Sequence, residues 1–186
     1  VPLSYFLYDP NSDAISIVVE YFTTDWFNAS GVFLPPGEGV SGLTSSSGGQ
    51  EHLFIWDSRL DLGNTSSPTV RIRIIPLDAV GVGSSANTSD FAVDNEPPGV
   101  VGATLATALD PDGKTVDVLF TENVDNSVAL VLTTYRSGDL TPVTVTLINE
   151  NEVRLLFAVR LVPGVDTISV IGLKDLAGNR KDVIES

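Results

Sequence analysis

The sequence predicts an all-β protein built as two tandem β-sandwiches joined by a short acidic Pro-Pro linker, and three observations lead there. Apolar residues recur with period two along most of the chain. Clusters of Gly, Pro, Asn, Asp and Ser separate these runs at intervals of about 8–12 residues, the spacing of short sandwich strands. At the midpoint of the 186 residues, Val93-Asp94-Asn95-Glu96-Pro97-Pro98 interrupts the pattern. Pro97 and Pro98 have no amide donor and fix φ, so neither a helix nor a central strand runs through them. The expected domains are therefore 1–95 and 96–186.

In the first half, Ile15, Ile17, Val19 and Tyr21 share one strand face, and Val70, Ile72 and Ile74 share another, with Arg71 and Arg73 pointing away. The second half repeats the habit in Val116-Val118-Phe120, Val143-Val145-Leu147, Val153-Leu155-Phe157 and Ile168-Val170. Expected strands are 3–8, 14–22, 30–34, 51–56, 69–76 and 85–93, then 100–107, 114–121, 128–134, 141–147, 152–158 and 166–171. Turn chemistry marks their ends at Asp9-Pro10-Asn11-Ser12-Asp13, Pro35-Pro36-Gly37, Asp110-Pro111-Asp112-Gly113, Ser137-Gly138-Asp139 and Ala177-Gly178-Asn179. The segment 37–50, with five Gly and four Ser, reads as a mobile loop. No strand precedes the one opening near Val1, and Arg180 to Ser186 makes a poor closing strand, so the first and last strands are expected to be missing. Val1, Pro2, Leu3, Tyr5, Val183 and Ile184 then lie at sheet edges open to another chain.

Composition narrows the partners. With 10 Lys+Arg against 24 Asp+Glu the formal charge is −14, which repels nucleic acid and anionic membranes. Cysteine is absent, which excludes disulfides and thiolate metal sites. No run of about 18 apolar residues suggests membrane insertion. A Val in first place suggests a processed or excised polypeptide, and the acidic, Ser/Thr/Gly/Asn-rich composition suggests secretion to a cell surface or extracellular filament. Three sequons, at Asn28, Asn64 and Asn87, fall in turn-like segments as candidate glycosylation sites.

His52-Leu53-Phe54-Ile55-Trp56-Asp57-Ser58-Arg59 with Asp61-Leu62-Gly63, followed by Val70-Arg71-Ile72-Arg73-Ile74 and Phe91-Ala92-Val93-Asp94-Asn95, resembles a fibronectin-III/Ig-like repeat of large bacterial surface proteins. Phe120-Thr121-Glu122-Asn123-Val124-Asp125 and Gly172-Leu173-Lys174-Asp175-Leu176-Ala177-Gly178-Asn179 resemble a bacterial Ig-like domain of S-layer and adhesin proteins, with Asn123 standing where a proline is usual. These resemblances imply spacer, adhesive or lattice-forming roles.

Carboxylates near turns are the chemistry-bearing groups in quantity. Calcium takes six to eight hard oxygens, often from turns. Asp94, Asn95 and Glu96, with Asp9, Asp13, Asp110 and Asp112 folding back beside them, form one candidate set; Glu122, Asp125, Asp175 and Asn179 form a second. The alternative for Asp175 is to cap backbone amides, and for Asn179 to supply a positive-φ turn. A Ser-His-Asp triad would have to use His52, the only histidine, and no Gly-x-Ser-x-Gly elbow presents a nucleophile. Zinc lacks its ligand set, and a glycosidase pair lacks the burial it needs. Trp26, near Phe27, is the one aromatic suggesting a carbohydrate platform. The expected function is a non-catalytic structural subunit or module of a surface layer, adhesin stalk or filament, joined through its terminal edges to itself or to neighbouring repeats. The alternative is a carbohydrate-binding module of a larger secreted protein.

Overall fold

The computed structural model describes residues 1–185, and the side chains up to residue 182. The chain is all-β with antiparallel sheets, and it divides into two compact units, Val1–Asn95 and Glu96–Ser186.

The first unit runs β1 (Pro2–Leu7), β2 (Ser16–Phe22), β3 (Trp26–Asn28), β4 (Gln50–Ile55), α1 (Ser58–Leu62), β5 (Ser66–Leu77), β6 (Ala86–Asn87) and β7 (Phe91–Asp94). One sheet has the order β3-β2-β5-β6, with β7 also pairing β5; the other is the β1-β4 pair. Alternation decides what is buried: Ile17, Val19 and Tyr21 of β2 and Val70 and Ile72 of β5 face Leu7, Phe54 and Trp56 across one core.

The second unit runs β8 (Val100–Leu105), β9 (Thr115–Phe120), α2 (Asn126–Ala129), a 3-10 turn at Leu132–Thr134, β10 (Tyr135–Arg136), β11 (Thr144–Asn149), β12 (Glu152–Leu156), β13 (Ser169–Lys174) and β14 (Arg180–Glu185). Its sheets have the orders β11-β12-β9-β8 and β10-β13-β14. Val116, Val118 and Phe120 of β9, Val153 and Leu155 of β12, and Val170 and Leu173 of β13 form its core with Tyr135 and Phe157.

Several expectations give way to local chemistry. The expected strand 128–134 is α2 and the 3-10 turn, because the Asp125 carboxylate accepts the Ser127 amide at 2.8 Å and caps a helix there. The expected strand 30–34 is replaced by β3, since the Thr23–Asp25 turn brings Trp26 straight back onto β2. The span 85–93 breaks into β6 and β7, because the Thr88 hydroxyl takes the Ile72 amide in place of a ladder carbonyl. The segment 37–50 is anchored: Leu43 is buried and exchanges backbone bonds with Ile15, and the Glu38 amide bonds Leu53.

The expectation of a missing last strand is also overturned. β14 pairs with β13 from Lys174↔Arg180 to Ser169↔Glu185. The turn between them returns the chain antiparallel, so backbone pairing outweighs the weak β propensity of Arg180-Lys181-Asp182. The side chains of Val183 and Ile184, and all of Ser186, lie outside the described residues. β1, likewise, pairs with β4 from Pro2↔Ile55 to Leu7↔Gln50 and has no second strand among the described residues.

Candidate functional site

Four of the nine carboxylates expected as metal ligands, Asp9, Asp110, Asp125 and Asp175, accept backbone amides in turns and caps. Asp9 is buried, and its two oxygens accept the amides of Asn11 at 3.0 Å and Asp13 at 2.9 Å. Asp110 repeats the device in the second unit, accepting the amides of Asp112 and Lys114 and the Thr115 hydroxyl at 2.8 Å. The Thr115 hydroxyl, helped by those amides, holds Asp110 below the usual carboxylate range. Asp125 is held low in the same way by Ser127. Asp112 is exposed, 4.0 Å from the Lys114 ammonium.

The first candidate set does not converge within either unit. Asp94 accepts the Ser66 hydroxyl at one end of β5, whereas the Asp9–Asp13 turn leads into β2 at Ser16, opposite Leu77 at the other end. At about 3.3 Å per residue, β5 separates these groups by roughly 35 Å. In the second unit Asp110 and Asp112 sit in the turn from β8 to β9, while Glu96 enters at the opposite end, where the Thr121 amide donates to the Gly99 carbonyl and the Gly99 amide to the Thr121 hydroxyl. Asn95 is buried, with Oδ1 accepting the Ser58 hydroxyl at 2.9 Å and Nδ2 without a partner.

The second set comes closer together. Val124 bridges Asp175, and the Asp125 amide donates to the Lys174 carbonyl, so the loop after β9 meets the turn from β13 to β14 at one pole. Glu122 and Asp175 bring carboxylate oxygens within 4.8 Å. Asp175 is 2% exposed and accepts the Asn179 amide at 2.8 Å and the Asn179 side-chain amide at 2.6 Å. The amide-capping alternative therefore describes Asp175, whereas the positive φ of this turn falls on Gly178, at 88°, and not on Asn179.

His52 is a buried strand residue. Its Nδ1 lies 2.7 Å from Glu38 Oε2 and its Nε2 lies 2.7 Å from the Thr44 carbonyl oxygen, so both ring nitrogens clamp the 37–50 segment and neither faces a hydroxyl nucleophile. Tyr5 stacks on the ring at 5.6 Å, and burial, with the Glu38 charge, pushes its phenol up to about 12.

Trp26 is half-buried, but its ring is already occupied. The Arg73 guanidinium sits 4.1 Å from the ring centroid and is itself held by Glu20. Phe22 leans on the same indole at 5.3 Å. A sugar would have to displace this cation from the aromatic face. Asn28, Asn64 and Asn87 are all exposed.

Two features were missed by sequence reasoning. Asp61 accepts the Ser30 amide at 2.8 Å, the Ser30 hydroxyl at 2.6 Å and the buried Trp56 indole N–H at 2.6 Å. A buried Trp needs such an acceptor, so the nearby acid at Asp61 was the available signal. The other is the pair of edges of the β11-β12-β9-β8 sheet. β8 (VVGATL) and β11 (TVTLIN) contain no charged residue and no proline, and Val101, Leu147 and Ile148 are exposed at 61%, 37% and 42%. Their lack of charge is legible in the sequence, but their position at the sheet's edges is a property of strand order.

The chain matches no protein-family model and no curated protein.

Proposed function

We propose that the chain is a non-catalytic structural module of a cell surface or extracellular filament, which works by holding its fold and pairing strand edges with copies of itself or with neighbouring repeats. The observation that supports this best is the character of its free edges. β1 (PLSYFL), β8 and β11 are uncharged edge strands in a chain of charge −14. Edge strands are ordinarily blunted by charge, proline or brevity, and long uncharged ones are templates for pairing. Sedimentation velocity of the full chain over a wide concentration range tests the reading. Concentration-dependent growth in size is expected, and a monomer throughout would remove the self-association.

Calcium, in this reading, belongs at the Glu122 and Asp175 pole of the second unit, where two carboxylates approach each other with one of them buried. Millimolar calcium is then expected to raise the unfolding temperature, and Glu122→Gln to remove the rise. An unchanged melting curve would leave the module without an ion.

A further inference from the structure

The assembly reading leaves open which edges meet, and the geometry of the second unit's four-stranded sheet answers it. We propose that β8 of one copy pairs with β11 of the next, so that the sheet continues from molecule to molecule as an open antiparallel ribbon. This rests on the self-association proposed above and assigns it a surface.

Strand direction permits this pairing. In the order β11-β12-β9-β8 every neighbouring pair is antiparallel. With four strands, the two edges run in opposite directions. A copy displaced sideways, without rotation, therefore presents β11 antiparallel to β8, and the alternation continues unbroken.

Register agrees with it. Thr104 pairs with Asp117, Asp117 with Arg154 and Arg154 with Thr146, one straight row across the sheet. The next rows run Ala103, Val118, Val153, Leu147 and Leu105, Val116, Leu155, Val145. A displacement of four strand spacings, about 19 Å, sets Thr104 against Thr146, Ala103 against Leu147 and Leu105 against Val145 of the neighbour. Each pair has the same facing, so no strand must slip by one residue and turn its apolar side outward.

The irregularities also match. The β8 ladder shifts between Val100 and Gly102, and the β11 ladder between Leu147 and Asn149, both at the Phe120 end of the sheet. Displaced copies bring these two kinks face to face. Pairing two β8 strands about a two-fold axis would set each kink against the straight end of its partner.

The space beside β8 suits an added strand. A largely apolar groove of about 550 Å³ lies between β8 and the 161–168 segment, lined by Ala103, Leu105, Val116, Leu161 and Ile168, with Asp166 as its one charged residue. An incoming β11 lays Val145 and Leu147, with Val143 just ahead of the strand, along that side. Val143 and Leu147 are 51% and 37% exposed in the single chain. Charge permits the same occupant. Copies at −14 repel over most of their surface, and β8 against β11 adds no like-charge pair.

The chain has no cysteine, so Thr104→Cys with Thr146→Cys in the full chain gives a clean test; both positions are exposed. Directly opposed antiparallel residues have the Cα spacing a disulfide accepts. On oxidation, the double variant is expected to give a ladder of covalent dimers, trimers and longer species on a non-reducing gel, while each single variant stays monomeric. Disulfide dimers from T104C alone would mean two-fold pairing and overturn the proposal. If the unaltered chain associates in sedimentation but the double variant gives no ladder, the β8 to β11 pairing is wrong and the assembly reading stands. If the unaltered chain stays monomeric and no ladder forms, both fall. As an independent check, Thr104→Lys is expected to raise the concentration needed for association at least tenfold and Phe6→Lys, on β1, to leave it unchanged. The reverse pattern would move the interface to β1 and overturn the assignment.

Discussion

The two units end their larger sheets in opposite ways. In the first, the β3-β2-β5-β6 path stops at strands of three and two residues, too short to template a partner. In the second, the β11-β12-β9-β8 path stops at strands of six residues with no charge. Both sheets bury the same alternating apolar pattern, so the core does not dictate this difference. It lies in the edges, and edges govern what a β-sandwich does with its neighbours.

The units also differ in how they secure the chain around their cores, and that is where the largest effect is expected. In the first unit a single carboxylate, Asp61, serves three donors, one of them the indole of Trp56. Asp61→Ala leaves that N–H without its acceptor and should cost about 3 kcal/mol in urea unfolding. Asp175→Ala, which frees the Asn179 amide and side chain in the second unit, is expected to cost about 2 kcal/mol. Equal losses would erase the contrast between one shared acceptor and a local turn.

The edge contrast comes next. A lysine at Thr104 should weaken association by at least tenfold, about 1.4 kcal/mol, while lysines at Asn28 and Asn87, on the short edges of the first unit, should leave it unchanged. Smaller again is Tyr135→Phe. The hydroxyl of this fully buried ring donates to the Ala129 carbonyl at 2.7 Å, and its loss should cost the second unit about 1 kcal/mol.

The smallest effect is in pH. Asp110 and Asp125 are held below the ordinary carboxylate range, both in the second unit. Their contribution is present above that range and is lost as pH falls from it through their folded values, so the second unit should lose stability first in acid. Tyr5, in the first unit, is raised to about 12. Its contribution is present below the ordinary phenol value and is lost as pH rises toward 12; burial raises the Tyr135 phenol of the second unit as well, so both units should weaken in alkali. Melting curves at acid and alkaline pH check both directions.

Period-two alternation located β2, β5, β9 and β12, because each has one face on a core and burial enforces the period. It failed at Val128, Leu130 and Leu132, where the same period hid the helix cap at Asp125. It failed again at β14, whose exposed edge position imposes no apolar pattern. Of the candidate site residues, the Asp9 and Asp110 turns were legible as turns, since an Asp two residues before an amide it can reach closes its own loop. Where those turns lie relative to one another depends on strand order, which is long-range. The uncharged character of β8 and β11 was visible throughout, but what made them edges was the topology around them.

Trp56 and Trp26, the chain's two tryptophans, both lie in the first unit. Red-edge-excited fluorescence is therefore a private channel to that unit, with the buried Trp56 indole beside Tyr21 and Asp61 as its reporter. The second unit is silent in this channel, so comparing fluorescence with circular dichroism on one sample would separate the two melting transitions without cutting the chain.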